Sequence, residues 1–374
     1  MKKILHIASF SGNMGDILNH KGFYKFFRKY VCDDFSVEKV EIRYFYKNCK
    51  KFTFDDSFLN YINSFDLLIL GGGGFFTVEW DYSDTSTTID MSKSFIDGIN
   101  IPVIVNAMGY HECTDRSDLF IRFKTFIQYI ASKKNWLITL RNDGSGKRLV
   151  SRYGHISGIE VVPDNALLLW DRKNIVYTNK PKTIGILFSD SYRYNQVAGM
   201  SLNDIIEKIQ NVMQKLLKDN KQIVLFSHIP QDYFLINMIL DKIEPIYLRT
   251  NVIIAGYDAI DENSLERISQ YYKMCNCIVS TRLHGNIFSL TQNIATIGLV
   301  RSENVEGLFE EIGLSDRVVL LNSNNFDSIL LDMIYTTLEE EDKIVKRQNE
   351  KLEELHNNAK LYFHNIKSHI NSTE

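Results

Sequence analysis

Short, nearly unbroken apolar runs alternate along the chain with longer stretches whose apolar residues recur every three or four positions. The first kind fits a strand buried on both faces, the second a helix lying on a sheet. Strands are predicted at KILHIAS, VEKVEIRYF, FDLLILGG, IPVIVNAMG, NWLITLR and IEVVPD, then at TIGILFS, QIVLFSH, NVIIAG, CIVSTR, ATIGLV and RVVLL. Helical patterns such as ILNHKGFYKFFRKYV, DLFIRFKTFIQYIASKK and LNDIIEKIQNVMQKLLKDN lie between them. Alternation of this kind builds parallel α/β layers. It runs through two complete series, separated by the polar, charge-rich stretch 170–182. The expected fold is α/β, with two Rossmann-like domains (1–172 and 181–335) facing a cleft and a helical segment (336–374) packing across them. In that segment Val345, Leu352, Leu355, Ala359, Tyr362, Phe363, Ile366 and Ile370 form an apolar stripe at helical spacing.

A chain of 374 residues exceeds one ordinary hydrophobic core, which agrees with two domains. A formal net charge of -3 gives no general attraction to a polyanion, so nucleic acid is not an expected partner. Five scattered cysteines without a CxxC pair argue against a disulfide framework and against a zinc site; no metal and no cofactor are expected. The opening MKKILHIASFSGNMGD turns polar too soon for a secretory leader and reads as a first buried strand. No run approaches the ~18 apolar residues of a membrane span. The expected location is the cytoplasm, with any membrane association peripheral, at its inner face.

Candidate chemistry gathers at strand ends, where doubly wound sheets bind their ligands. In SFSGNMGDILNHKGF, Gly12 and Gly15 turn the backbone and expose amides at a helix start. Asp16 either caps that helix or offers a carboxylate to a sugar hydroxyl. The glycine run in LLILGGGGFF, which includes Gly72 and Gly73, costs about 0.5–1 kcal/mol per residue relative to alanine and is expected where the backbone approaches a ligand or a neighbouring element. His111 ends VIVNAMGYH, and Arg141 ends NWLITLR, where it binds ligand or braces the domain; Asp143 and Ser145 are expected caps. In CIVSTRLHGNIF, Arg282 stands at a strand end, Gly285 is expected to allow a tight turn, and a helix is expected over 286–293. A guanidinium beside helix amides suits a carboxylate or phosphate, and His284 can share that anion and give it a proton.

Together these stretches resemble the polysaccharide pyruvyl transferase family, on GNMGDI, LGGGGFF, NAMGYH, TLRNDGSGKRL followed by VVPDNALLL, and most of all CNCIVSTRLHGNIFSLTQNIATIGL. The family is similar in fold to two-Rossmann (GT-B) glycosyltransferases. The resemblance implies transfer of a carboxyethylidene group from phosphoenolpyruvate, a donor substrate, to a sugar of a cell-surface glycan as a cyclic ketal. Exopolysaccharide, capsule and cell-wall glycans are the implied products, on a free or lipid-linked saccharide acceptor. It implies donor contacts from Arg282, His284, Gly285, Arg301 and Arg141, and acceptor contacts from Gly15, Asp16, Gly72 and Gly73. His284 would serve as general acid, with Asp16 or His111 as base. The family usually has a lysine where this chain has Asn304, and Arg301 is the residue that could replace it. NAMGYH also lacks the glutamine common at that strand end. The competing reading is a nucleotide-sugar-dependent glycosyltransferase with Glu303 or Glu306 gripping ribose, and a third is a catalytically silent glycan-binding scaffold. Self-association is left open.

Overall fold

The structure, a computed structural model, describes residues 1–172, 182–189, 200–256 and 263–373. Most of the polar stretch at which the sequence divides into two series lies outside them. The chain forms two compact units, each assembled from separated segments. The first comprises Met1–Phe10, Asn19–Leu168 and Leu355–Glu374; the second comprises Ser11–Leu18 and Leu169–Glu354.

In the first unit the strands are β1 (Lys2–Ala8), β2 (Phe35–Glu41), β3 (Leu67–Gly71), β4 (Phe76–Val78), β5 (Val103–Met108), β6 (Tyr110–Glu112), β7 (Trp136–Arg141) and β8 (Ile159–Val162). Six of them form a parallel sheet in the order β2-β1-β3-β5-β7-β8, while β4 and β6 pair with each other. Successive residues of β3 show why the apolar runs are unbroken. Leu68 and Leu70 enter one core with Phe58, Phe95 and Phe123, while Leu67 and Ile69 enter the other with Phe23, Phe27 and Phe363. Both faces are covered by helices, so no position on such a strand can be polar without a partner.

The second unit holds β9 (Thr183–Leu187), β10 (Gln222–Phe226), β11 (Val252–Ala255), β12 (Cys277–Ser280), β13 (Ala295–Val300) and β14 (Val318–Leu320). They make a parallel sheet in the order β11-β10-β9-β12-β13-β14. Each sheet reverses its strand order once, between β1 and β3 and between β9 and β12. Such switch points open the crevice in which ligands of doubly wound sheets sit.

Past Phe326 the chain forms two helices, Phe326–Glu339 and Glu341–Thr373. Of the predicted stripe, Val345 and Leu352 are buried in the second unit, and Ala359, Tyr362, Phe363, Ile366 and Ile370 in the first. Leu355 is only half-buried. Two local expectations differ. The predicted strand VEKVEIRYF starts earlier, at Phe35, and gives way after Glu41 to a 3-10 turn over Ile42–Phe45, where the Glu41 carboxylate caps the turn. The short β4–β6 pair has no separate apolar run to announce it.

One polar pair is buried behind β1. His6 donates from Nε2 to the Gly71 carbonyl (3.0 Å) and accepts the Tyr24 hydroxyl at Nδ1 (2.6 Å), while His20 donates to the Ser9 carbonyl (2.7 Å). Burial pushes both imidazoles down, His6 well below 6.5 and His20 to about 4. The folded chain therefore keeps both neutral where the unfolded chain begins to protonate them. Their contribution to stability is complete above pH 6.5 and is lost as pH falls toward 4. Thermal melts from pH ~7.5 down to ~5 should show a steady fall in midpoint below about 6.5; a midpoint flat to pH ~5 would contradict it.

Candidate active site

The second unit carries a corner of charged and aromatic side chains where β9, β10 and β12 end. Arg282 occupies the position capping the helix Leu283–Thr291. The helix expected over 286–293 thus starts three residues earlier, with His284 and Gly285 in its first turn. Gly285 is not a turn residue. A β-carbon there would collide with Leu187 Cδ2 and Ser280 Oγ, so glycine is needed for the helix to close on the sheet. Ser280 locks the corner, its Oγ accepting the Arg282 N–H (3.0 Å) and donating to the Arg282 carbonyl (3.1 Å).

The guanidinium of Arg282 meets the carboxylate of Asp232 side-on, Nε to Oδ2 at 3.1 Å and Nη2 to Oδ1 at 2.5 Å. Asp232 has no exposed surface, and its Oδ2 also takes the backbone N–H groups of His228 (2.9 Å) and Ile229 (3.2 Å). Charge on Arg282 is thereby balanced within the protein, and one edge, Nη1, is left for other work. His228 is buried, with Nε2 at 2.9 Å from the Tyr272 hydroxyl. Burial pushes its imidazole well below the ordinary range, and the nearby Arg282 and His284 push in the same direction. His228 is consequently neutral, and its Nδ1 has no partner among the described residues.

The backbone of Gly15 lies directly against the His284 ring, where a β-carbon would run into Nδ1, Cγ and Cβ. Both belong to the second unit, because Ser11–Leu18 packs there although β1 belongs to the first. Asn13, not Asp16, caps the helix Met14–Tyr30, its Oδ1 accepting the Gly15 N–H at 2.9 Å. The reason is register: the helix begins two residues before Asp16, which leaves that residue in the first turn, half-buried, next after Gly15 in the chain. Arg301 follows β13 and donates through Nη1 to the Ser189 carbonyl just after β9 (2.6 Å). Asn304 bonds the Ser302 hydroxyl, and Glu303 and Glu306 are exposed on the helix Glu303–Glu311.

The first unit holds the remaining predicted residues. Arg141 is only 4% exposed and is enclosed by acids, Nε at 2.5 Å from Asp143 and Nη1 at 3.8 Å from Asp164. Burial alone would raise the Asp143 carboxyl, but the Arg141 guanidinium, helped by the Ser145 hydroxyl and Arg148, outweighs it and holds it below its usual value. Arg141 Nη2 lies 3.4 Å from His111 Nε2. A guanidinium only donates, so that nitrogen accepts and the imidazole proton sits on Nδ1. Asp143 takes both the Ser145 N–H and its hydroxyl at the start of the helix Ser145–Tyr153. The glycine run approaches protein: a β-carbon on Gly72 (φ +89°) would strike Asn19, and one on Gly73 would strike the Phe75 ring.

The structure therefore gathers Gly15, Asp16, Arg282, His284, Gly285 and Arg301 in one unit and Gly72, Gly73, His111 and Arg141 in the other. Sequence reasoning missed His228, Asp232 and Tyr272. The signal was present in QIVLFSHIPQD, a histidine at the end of a buried strand with an acid four residues on.

The family described as polysaccharide pyruvyl transferase matches residues 13–303, more than half of the chain. The chain belongs to the polysaccharide pyruvyl transferase family. It is accordingly a transferase of glycan synthesis, and the match runs from the Asn13 cap through the Arg282–His284 corner, stopping one residue before Asn304. No curated protein matches the chain in sequence. Solved structures share its fold. HepE of Anabaena, in complex with UDP and glucose, aligns with TM-score 0.57 and 10% identity over 100% of both chains. A glycosyltransferase from Rickettsia africae aligns with TM-score 0.57 and 12% identity over 98% of this chain and 97% of that one. The UDP-GlcNAc 2-epimerase of Methanocaldococcus jannaschii aligns with TM-score 0.52 and 10% identity over 89% and 92%. At such identities the likeness is one of fold, two Rossmann-like domains of the GT-B type. Among the described residues, no helix is long and apolar enough to cross a membrane.

Two outcomes follow for this family member. Gly15→Ala should leave the melting temperature within a few degrees of wild type while turnover falls at least about tenfold, because the methyl group displaces His284 by a distance catalysis does not tolerate. Asp232→Ala leaves a half-enclosed guanidinium without its counter-charge and should cost about 3 kcal/mol in denaturant unfolding. A change below about 0.5 kcal/mol, typical of an exposed pair, would show the bridge to be dispensable.

Proposed function

We propose that this enzyme transfers the pyruvyl group of phosphoenolpyruvate to a sugar of a cell-surface glycan, closing a cyclic ketal and releasing phosphate. The supporting observation is the seating of His284 on the side-chain-less face of Gly15, with Arg282 two residues before the histidine and Asp16 next after the glycine in the first turn of its helix. An acid, an anion-binding edge and a carboxylate are thus held by one unit.

The chemistry asks for these three groups. Phosphoenolpyruvate is a small trianion whose C2 becomes electrophilic only when the C3 methylene takes a proton. His284 in its imidazolium form supplies that proton. Arg282 Nη1, the first-turn amides of the helix Leu283–Thr291 and Arg301 hold the anion; Asp232 keeps the total positive charge low enough for phosphate to depart. One sugar hydroxyl bonds through oxygen to C2 and gives its proton to Asp16. The C2–O bond to phosphate then breaks, the second hydroxyl adds to C2, and its proton leaves with the phosphate. Two C–O bonds form, the C2–O bond to phosphate breaks, and C3 becomes a methyl group. Phosphoenolpyruvate is a cytoplasmic metabolite, so the reaction belongs on that side of the membrane, with exopolysaccharide, capsule or wall glycans as products.

Incubation with phosphoenolpyruvate and acceptor glycans should release inorganic phosphate only when an acceptor is present. His284→Ala and Arg282→Ala should each lower that turnover at least about a hundredfold. Release of a nucleoside diphosphate from a sugar nucleotide, with no phosphate from phosphoenolpyruvate, would replace this reading with the glycosyltransferase one. Undiminished turnover in a folded His284→Ala protein would remove the acid from His284.

A further inference from the structure

The first unit displays an aromatic group that the proposed chemistry leaves unused. Tyr46 follows β2 through the turn Ile42–Phe45, and Trp80 and Tyr82 lie in the segment 79–90 that follows β4. The Tyr46 and Trp80 rings are 5.1 Å apart, and Trp80 and Tyr82 are 5.5 Å apart at 83°. All three are half-buried, and neither Trp80 nor Tyr82 belongs to either core cluster of this unit. Trp80 follows β4, which itself comes a few residues after the carboxyl end of β3 beside the switch point of the six-stranded sheet, the end at which such folds take ligands.

The segment is built to hold those rings still. Arg122 donates from Nη1 to the carbonyls of Asp81 (3.0 Å) and Ser83 (3.4 Å). A chain of hydroxyls runs from Ser83 to Thr85 and Thr87 at 3.0 Å steps, and Thr85 closes onto the Ile89 carbonyl (2.8 Å). Ser86 adopts φ 61°, which disfavours any residue with a side chain, and its buried hydroxyl has no partner among the described residues. In return its carbonyl takes the N–H groups of both Glu79 and Trp80 (3.2 Å each). Backbone strain that survives in a rigid loop is a pointer to use.

Charge narrows the occupant. Residues 79–90 include Glu79, Asp81, Asp84 and Asp90 and no lysine or arginine. Lys47 and Arg116 stand at the border, Lys47 Nζ over the Tyr82 ring (5.3 Å) and Arg116 Nη1 3.7 Å from Asp81. Aromatic faces take the C–H face of a sugar, and carboxylates take its hydroxyls, whereas an anionic sugar meets repulsion.

We propose that Tyr46, Trp80 and Tyr82 form a subsite for an uncharged pyranose of the acceptor glycan, with Glu79 and Asp81 accepting its hydroxyls. The proposal rests on the reading of the protein as one that modifies glycans, but not on the identity of the donor. It also carries a specificity: uronic-acid rings bind more weakly than neutral ones, because residues 79–90 hold four acids and no lysine or arginine.

The test is calorimetric titration with neutral oligosaccharides containing glucose, galactose, mannose or N-acetylglucosamine, and with uronic-acid counterparts. Wild type should bind at least one neutral member and bind its uronic counterpart more weakly. Trp80→Ala should weaken that binding at least about tenfold, Trp80→Phe should retain most of it, and the KM for phosphoenolpyruvate should not move. Tyr82→Leu, which preserves bulk without a π face, gives the same readout if Trp80→Ala does not fold. Unchanged affinity in folded Trp80→Ala or Tyr82→Leu protein, or no binding of any neutral member by wild type, overturns the subsite. Saccharide binding through Trp80 without phosphate release from phosphoenolpyruvate would uphold the subsite and overturn the donor instead.

Discussion

An imidazole resting on bare backbone is the constraint from which the rest of the site follows. His284 can lie where it does because Gly15 has no side chain, and Gly15 can lie there because Asn13 ends the preceding loop and starts the helix. The turn after the first strand is thereby committed to the second unit, while the strand itself stays in the first. Asp16 is carried along by the helix register, and its distance from the capping role is a by-product of the same start.

Electrostatics around this contact are more balanced than a simple anion clamp. Arg282 is balanced by Asp232, and Asp232 is in turn anchored by two amides just past the end of β10. His228 cannot take up charge in competition, because burial and its cationic neighbours keep it neutral. An arginine fixed in this way pays little further ordering entropy on meeting a ligand and presents a defined edge. The first unit shows the opposite balance: Arg141 is surrounded by Asp143, Asp164 and the lone pair of His111, an arrangement that braces three strand ends.

Most of the architecture was legible because strands buried on both faces leave long apolar runs, as in FDLLILGG and CIVSTR. The twelve strands of the two large sheets all fall on predicted runs. What escaped notice was decided by contacts between segments distant in sequence. Nothing in RLHG itself says that Gly285 packs on Leu187, or that the helix starts at Leu283 and not at 286. The glycines of LGGGGFF were legible as close approaches, but only the fold shows that Asn19 and Phe75 are what approach. His228 and Asp232 were missed because a single histidine after a strand is an ordinary sight, and its partner Arg282 lies 50 positions beyond Asp232.

The long final helix bears on how the chain is made. Ile4, Phe23, Phe26 and Leu67 share a core with Tyr362, Phe363, Ile366 and Ile370. The ribosome delivers the former well before the latter. The amino-terminal unit must therefore wait with one face of its sheet only partly covered until the helix Glu341–Thr373 has been made, so that emergence of its own sheet does not complete its burial.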